Sequence, residues 1–222
     1  MDIVIAPDPQ GAATEAAAWL ARQIRNAVAR RGVAAVALSG GSTPALMLAA
    51  LAELPTPWDR TTVFQVDERV APDGDPDRNA SLLDPLRSCG ASINLMPVTA
   101  ADLEAASRQY AALLPERLDV VHLGVGDDGH TASWPPGDPV IHANGVVALS
   151  GEYKGRVRMT LTVPAVNAAR HRLVLATGLA KATIIERWML HDQALPIARV
   201  SHTNTLVLLD QQSASRLPYQ AR

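Results

Sequence analysis

Residues 33–44 read VAAVALSGGSTP, and this order of residue types decides the fold. The apolar run at 33–38 is typical of a β-strand that is buried on both faces. A polar, glycine-containing turn begins at Ser39. Pro44 suits the first turn of a following helix, because its missing N–H would have no helical partner there. The stretch therefore predicts a strand, a tight turn and a helix, the last over residues 45–54.

The same alternation recurs along the chain. Further strands are predicted at residues 3–5, 62–66, 93–96, 119–123, 157–163, 172–176 and 206–209, and further helices at 12–31, 81–86, 101–114 and 181–190. Strands that alternate with helices indicate an α/β fold, with a mostly parallel sheet covered by helices on both faces. The sequence contains no internal repeat or obvious linker, so it predicts a single domain over residues 1–222.

Composition excludes several classes of protein. With 48% hydrophobic and 19% charged residues, the chain is neither disordered nor fibrous. The formal charge of −2 argues against a general attraction to nucleic acid or anionic membranes. Cys89 is the only cysteine, which excludes an intramolecular disulfide and a multi-thiolate zinc site. The N-terminus lacks a basic segment, and no apolar stretch approaches the roughly 20 residues of a membrane helix, so we expect a cytoplasmic protein.

Polar clusters follow three of the predicted strands, at the edge where ligands bind in open parallel sheets. In the first cluster, Gly40 and Gly41 let the backbone approach a ligand, and Ser42 and Thr43 supply hydroxyl groups. The start of the next helix adds free N–H groups and the positive end of its dipole, which favour phosphate. The cluster lacks the Gly-Lys-Ser/Thr of a nucleotide P-loop. A tight turn with a helix cap is the alternative interpretation.

The second cluster is Asp67-Glu68-Arg69, directly after the strand predicted at 62–66. Its two carboxylates are suited to orienting sugar hydroxyls, and the guanidinium of Arg69 is suited to gripping a phosphate. A solvated charged loop is the alternative interpretation.

The third cluster, at residues 124–137, places Asp128 and His130 on a glycine-rich turn. A histidine acts as a general base near neutral pH, and a neighbouring carboxylate fixes its tautomer and stabilises the imidazolium. Gly124-Val125-Gly126 is only a fragment of a dinucleotide-binding fingerprint. The remaining histidines are expected to be structural or exposed: His122, His142, His171, His191 and His202.

Two further cations are candidates for binding an anion. Arg158 lies in the strand predicted at 157–163, and Lys181 lies at the start of the helix predicted at 181–190. The helix dipole opposes a lysine at that end, which favours an anionic ligand beside it. A solvated lysine is the alternative interpretation.

Together these segments resemble the 6-phosphogluconolactonase family, whose relatives are the glucosamine-6-phosphate isomerases and deaminases. Five strings carry the resemblance, in the family's order: LSGGSTP at 38–44, DER at 67–69, GVGDDGHTAS at 124–133, RMTLT at 158–162 and GLAKA at 178–182. The resemblance implies a Rossmann-like fold of the sugar-phosphate isomerase type. It also implies hydrolysis of 6-phospho-D-glucono-1,5-lactone to 6-phospho-D-gluconate in the oxidative pentose phosphate pathway, without a metal or organic cofactor.

The resemblance implies roles for individual residues. His130 matches the family's general base, and Asp128 matches the acid that supports it. The groups implied to hold the phosphate and the sugar are Gly40, Gly41, Ser42, Thr43, Asp67, Arg69, Arg158 and Lys181. The implied partner is a small sugar-phosphate lactone, with no nucleic acid or membrane, and we expect a monomer or a small homo-oligomer.

The chain departs from the family pattern in two places. Trp134-Pro135-Pro136-Gly137 stands where the family usually has Leu-Phe-Pro-Gly, which keeps an apolar wall at the site but changes its shape. Arg78 stands within the family's usual Asp-Ser-Asn; it either adds a cation near the phosphate site or faces solvent, and we expect it to face solvent.

Two alternative functions remain at this stage. A glucosamine-6-phosphate deaminase or isomerase would tend to have Asp-Glu-Tyr in place of Asp67-Glu68-Arg69, and Asn-Glu-Pro in place of residues 134–136. A non-catalytic sugar-phosphate sensor would usually carry a DNA-binding module, for which we expect no room in this chain.

Overall fold

A seven-stranded parallel sheet lies at the centre of the computed structural model, which describes residues 1–218. Residues 219–222 of the predicted domain lie outside the described residues. The strands are β1 (Asp2–Ala6), β2 (Ala34–Leu38), β3 (Thr61–Gln65), β4 (Asp67–Arg69), β5 (Ser92–Asn94), β6 (Val120–Gly124), β7 (Val147–Tyr153), β8 (Arg156–Leu161), β9 (His171–Ala176) and β10 (Thr205–Asp210). The α-helices are α1 (Pro9–Arg31), α2 (Ser42–Ala52), α3 (Asp84–Ser88), α4 (Leu103–Leu113), α5 (Val163–Ala168) and α6 (Ala182–Met189). Short 3-10 helices occur at Trp58–Arg60, Ala80–Leu83, Pro139–His142, Leu179–Lys181 and Pro196–Arg199.

The strands of the large sheet follow the order β1-β10-β9-β6-β2-β3-β5, and each neighbouring pair is parallel. Successive side chains of β2 belong to different hydrophobic clusters, with Val36 on the side of α1 and α2 and Ala37 on the side of α4 and α6. A strand buried on both faces needs apolar residues at consecutive positions, which explains the run at 34–38. The predicted α/β fold, with a mostly parallel sheet and helices on both faces, is confirmed.

The helix α1 begins three residues before its predicted start, because two local signals act together. Asp8 caps it by accepting a hydrogen bond from the Gly11 N–H at 2.7 Å, and Pro9 occupies the first helical position. The helix ends at Gly32, whose φ of 79° lies in the left-handed region. Within residues 1–218, no helix is long and apolar enough to cross a membrane.

A second, three-stranded antiparallel sheet has the order β4-β8-β7. The strand predicted at 157–163 corresponds to β8, whereas β7 was not predicted. A two-residue turn, Lys154-Gly155, joins β7 to β8 with φ angles of 51° and 76°. Positive φ at both positions is the geometry of a type I′ hairpin, which matches the twist of the two strands.

Candidate active site

A cavity of about 250 Å³ opens where β2, β6 and β9 end at their carboxyl termini. Nine of the ten predicted site residues line it: Gly40, Gly41, Ser42, Thr43, Asp67, Arg69, His130, Arg158 and Lys181. The tenth, Asp128, is absent from the lining and contacts His130 from behind. Because parallel strands end at the same edge of the sheet, the fold brings the three strand-end clusters to one place.

The first cluster places the start of α2 against the cavity. Gly41, with a φ of 127°, precedes the helix, and no side chain caps the first turn. The N–H groups of that turn therefore lack a helical partner and, with the positive end of the helix dipole, favour an anion. Gly40 allows a close approach, since a Cβ at that position would lie 1.9 Å from Asn79 Oδ1.

Asp67 and Arg69 lie on β4 and line the cavity, but the residue between them does not. Glu68 is fully buried and points away, where its carboxylate accepts hydrogen bonds from Gln65 Nε2 at 2.8 Å and from the Asn79 N–H at 2.8 Å. The interpretation of Asp67 and Glu68 as a pair that orients sugar hydroxyls is therefore wrong for Glu68. Successive residues of a strand face opposite sides, and this separates the two carboxylates.

The expectation that Arg78 faces solvent is wrong. Its side chain is 6% exposed, its Nε lies 3.4 Å from Glu68 Oε2, and its Nη1 lies 2.6 Å from Asp73 Oδ1. A buried carboxylate is costly unless a cation compensates its charge, and Arg78 provides that charge for Glu68. Arg78 thereby holds the loop behind β4, and it is absent from the lining of the active-site cavity.

The lining of the cavity concentrates positive charge. Arg158 is 6% exposed, and its buried Nε has no hydrogen-bond partner within the described residues. Burial and the adjacent positive charge of Arg69 lower the pKa of Arg158. Lys154 and Lys181 line the same cavity, so four cations face it, and Asp67 and Asp127 offset only part of their charge. This excess favours a ligand that carries a negatively charged group.

His130 is held by a carboxylate that is itself held by a tyrosine. Asp128 Oδ1 lies 2.6 Å from His130 Nδ1, and the Tyr153 hydroxyl donates to Asp128 Oδ2 at 2.5 Å. Burial raises the pKa of Asp128, but the hydrogen bonds from Tyr153 and His130 outweigh that effect and hold the pKa below its usual value. With Nδ1 engaged as the N–H donor to a carboxylate, His130 Nε2 is the ring nitrogen left to accept a proton.

The backbone at Gly126 leaves space for the imidazole ring of His130. A Cβ at Gly126 would lie 2.0 Å from His130 Nδ1, so only glycine leaves room for the ring at this point. His130 is 21% exposed, which leaves it accessible from the cavity without full solvation.

Tyr153 is the functional residue that sequence reasoning missed. It ends β7, and its ring lies 5.3 Å from the His130 ring and 5.0 Å from the Arg158 guanidinium carbon. Burial and the neighbouring Asp128 raise the pKa of Tyr153, so the hydroxyl remains a neutral donor. Gly155 was the available signal in the sequence, because it favours a tight hairpin turn. Such a turn places β7 beside β8 and brings Tyr153 close to Arg158.

Trp134 does not form a wall of the cavity, contrary to expectation. Its side chain is fully buried in the hydrophobic core, and its Nε1 donates to the Leu161 carbonyl at 2.8 Å. The indole therefore anchors the loop after His130 to β8. None of the other five histidines lines the cavity within the described residues.

Comparisons with known proteins identify relatives along most of the chain. Residues 7–209 match the family model described as glucosamine-6-phosphate isomerases/6-phosphogluconolactonase. The chain is 33% identical over 214 residues to a 6-phosphogluconolactonase of Synechocystis, covering 88% of this chain and 89% of that protein. It is 35% identical over 246 residues to a 6-phosphogluconolactonase of Streptomyces coelicolor, covering 97% and 94%. The crystal structure of a 6-phosphogluconolactonase from Shewanella baltica has the same fold, with a TM-score of 0.87, 24% identity, and coverage of 95% and 97%.

Proposed function

The chain belongs to the glucosamine-6-phosphate isomerase/6-phosphogluconolactonase family, and on that premise we propose that it hydrolyses 6-phospho-D-glucono-1,5-lactone to 6-phospho-D-gluconate in the oxidative pentose phosphate pathway. The observation that carries the proposal is the His130–Asp128 pair, which lies beside a cavity lined by four cations. The pair supplies a base for water, and the cations supply a place for the phosphate.

In the proposed reaction, His130 Nε2 takes a proton from a water molecule as its oxygen attacks the lactone carbonyl carbon. The bond between that carbon and the ring oxygen then breaks, and the imidazolium returns the proton to the ring oxygen. Acid–base catalysis of this kind contributes about 10²–10⁴-fold in rate. Asp128 keeps His130 in the required tautomer and stabilises the imidazolium through the 2.6 Å contact.

The substrate is held at two ends of the cavity. Arg69, Arg158 and Lys181 bind the phosphate, together with the first turn of α2 that Gly40, Gly41, Ser42 and Thr43 form or precede. Asp67 binds a sugar hydroxyl, because its Oδ2 already accepts from Ser133 Oγ at 2.7 Å while its Oδ1 has no donor among residues 1–218. Water is the only co-reactant that this scheme requires.

The site favours the lactonase over a deaminase of the same family. Ring opening and amine chemistry would use a further acid after the histidine loop, but residues 134–136 are Trp-Pro-Pro and the indole of Trp134 is buried. Arg69, in the position where the deaminases tend to have tyrosine, lines the cavity and donates to Asn79 Oδ1.

The proposal extends to the protein as a whole. We propose a single domain over residues 1–222, active in the cytoplasm as a monomer or a small homo-oligomer. Its partner is the sugar-phosphate lactone, and no nucleic acid or membrane takes part.

Lactone hydrolysis itself tests the proposal. Freshly generated 6-phosphogluconolactone is mixed with the protein, and 6-phosphogluconate is followed through its coupled oxidation against a blank without enzyme. Glucosamine-6-phosphate is tested in parallel for ammonia. Acceleration over the blank without ammonia is expected. Ammonia release by folded protein without lactone hydrolysis would indicate the deaminase, and the absence of both activities would indicate a sensor.

A further inference from the structure

A second cavity, of about 350 Å³, lies at the opposite edge of the large sheet. Four arginines from three parts of the chain line it: Arg30 and Arg31 at the end of α1, Arg117 before β6 and Arg170 before β9. These elements meet at the amino ends of β6 and β9, whereas the active-site cavity lies at their carboxyl ends. The two cavities share no lining residue.

One carboxylate, that of Asp119, lies among these four guanidinium groups, and it already accepts hydrogen bonds from the protein. Asp119 Oδ2 accepts from the Ala35 N–H at 2.9 Å, and Asp119 Oδ1 accepts from Arg31 Nη2. Arg170 Nε lies 3.3 Å from the same Oδ1, yet it is buried and makes no hydrogen bond within the described residues. The lining therefore carries a surplus of three positive charges and a buried donor without an acceptor.

The buried guanidinium of Arg172 adds a further positive charge close to His171, which lines the cavity. Arg172 is 2% exposed, and its guanidinium donates to neutral oxygens, including Thr205 Oγ1 at 3.0 Å and the Ala169 carbonyl at 2.9 Å. No carboxylate among residues 1–218 pairs with it. His171, which also lines the cavity, has its pKa lowered by burial and by the positive charges of Arg172, Arg30 and Arg170, although Asp119 opposes them.

We propose that this cavity binds a small anion that carries two adjacent phosphate groups, such as inorganic pyrophosphate or the diphosphate of a nucleotide. A single negative charge would leave most of the surplus unbalanced, whereas a diphosphate offers several charges and acceptors to guanidinium forks. Arg30 has no side-chain partner within the described residues, and Arg117 uses only its Nε, which donates to the Ala168 carbonyl at 2.9 Å. Both guanidinium groups thus keep free N–H donors for a ligand.

The size of the site and the charge of the whole chain favour a small ligand over a polymer. Its volume of about 350 Å³ falls within the range of small-molecule pockets. A nucleic acid would need a basic stripe along the surface, and the formal charge of the whole chain is −2.

Calorimetric titration of the whole protein with inorganic pyrophosphate, ADP and inorganic phosphate tests the proposal. The informative variant is Arg30→Gln/Arg117→Gln, because Arg31 and Arg170 also position Asp119. The matched control is Arg60→Gln/Arg108→Gln, which removes two exposed arginines that line neither cavity. Lys181→Ala separates this cavity from the active site, where a phosphate compound also has a place to bind.

We expect pyrophosphate to bind at least tenfold more tightly than phosphate, and we expect the Arg30/Arg117 variant to lose at least tenfold in affinity. The control and Lys181→Ala are expected to change the affinity of this site less than twofold. Tighter binding of ADP than of pyrophosphate would identify a nucleotide as the source of the diphosphate, and the reverse would identify free pyrophosphate; both support the site.

A second readout is the titration of His171, followed by NMR. A bound polyanion favours the charged imidazolium, so the pKa of His171 should rise on addition of pyrophosphate. The proposal is overturned if the wild type does not bind pyrophosphate, or if binding is lost in Lys181→Ala and kept in the Arg30/Arg117 variant. None of these measurements uses lactone hydrolysis, so they are independent of the proposed function.

Discussion

Replacement of Asp128 by asparagine should reduce turnover while leaving substrate binding in place. The carboxylate lies 2.6 Å from His130 Nδ1 and also accepts from Tyr153 at 2.5 Å. Hydrogen bonds to charged groups contribute about 1.5–3 kcal/mol, which corresponds to about 10- to 150-fold in rate. Because Asp128 is 34% exposed, solvent weakens the contact, and we expect kcat to fall by about 10- to 50-fold. Asp128 is absent from the cavity lining, so KM should change less than twofold.

Steady-state kinetics of lactone hydrolysis, corrected for spontaneous hydrolysis, measures this effect. The control for kcat is Asp127→Asn, which removes the neighbouring carboxylate. Its side chain is 65% exposed and lines the cavity, but it makes no hydrogen bond or ion pair with His130 within the described residues. Circular dichroism verifies that both variants fold. An equal kcat in the Asp128 and Asp127 variants would refute the role of Asp128 in supporting His130.

Four further variants follow from the same geometry. His130→Ala should keep its fold and lower kcat at least tenfold, because the proposed base is lost; turnover equal to that of the wild type would remove His130 from the mechanism. Lys181→Ala should raise KM at least fivefold with little change in kcat in steady-state kinetics. An unaltered KM would mean that Lys181 is solvated and does not bind the phosphate. Glu68→Gln should lower the free energy of unfolding by about 2 kcal/mol in urea denaturation, because it removes the buried charge that faces Arg78 and leaves Arg78 with the exposed Asp73 as its carboxylate partner. His122 is fully buried, and burial lowers its pKa to about 3. The unfolded chain therefore binds a proton below about pH 6.5 that the folded chain does not, so stability falls as the pH drops from about 6.5 to 3. His122→Leu should remove up to one proton from this dependence, about 1.4 kcal/mol per pH unit.

Two outcomes would contradict the predictions for Glu68 and His122. An unchanged unfolding free energy in Glu68→Gln would mean that the Glu68–Arg78 contact does not stabilise the loop. An equally steep pH dependence in His122→Leu would assign the acid sensitivity to other groups.

The location of the site was predictable from the sequence for a geometric reason. Parallel strands end at one edge, so polar clusters after residues 38, 66 and 124 had to meet there once the strands were recognised. The apolar run that forms β2 made that recognition straightforward, and β6 and β9 are mostly apolar, with His122 and Arg172 as buried exceptions.

The orientation of individual side chains was harder to predict from the sequence. Glu68 and Arg78 look like surface charges in the sequence, and they become a buried pair only through contacts across ten residues of loop. Trp134 resembles a wall of the site because it follows the histidine loop, yet its hydrogen bond to the Leu161 carbonyl depends on the position of β8. These are tertiary contacts, and local residue patterns carry no direct signal for them.

The division of the site between two sheets has a consequence for the order of assembly during refolding. His130 and Lys181 depend on the large sheet, whereas Arg69, Tyr153 and Arg158 depend on the small one, in which Asp67 pairs with Thr160 across more than ninety positions of the chain. Contacts between such distant segments require the closure of long loops and form slowly. The large sheet contains such contacts too, since Asp2 of β1 pairs with Leu206 of β10. Helical signal should therefore return before enzymatic activity, and the interval between them would time the assembly of both sheets around the site.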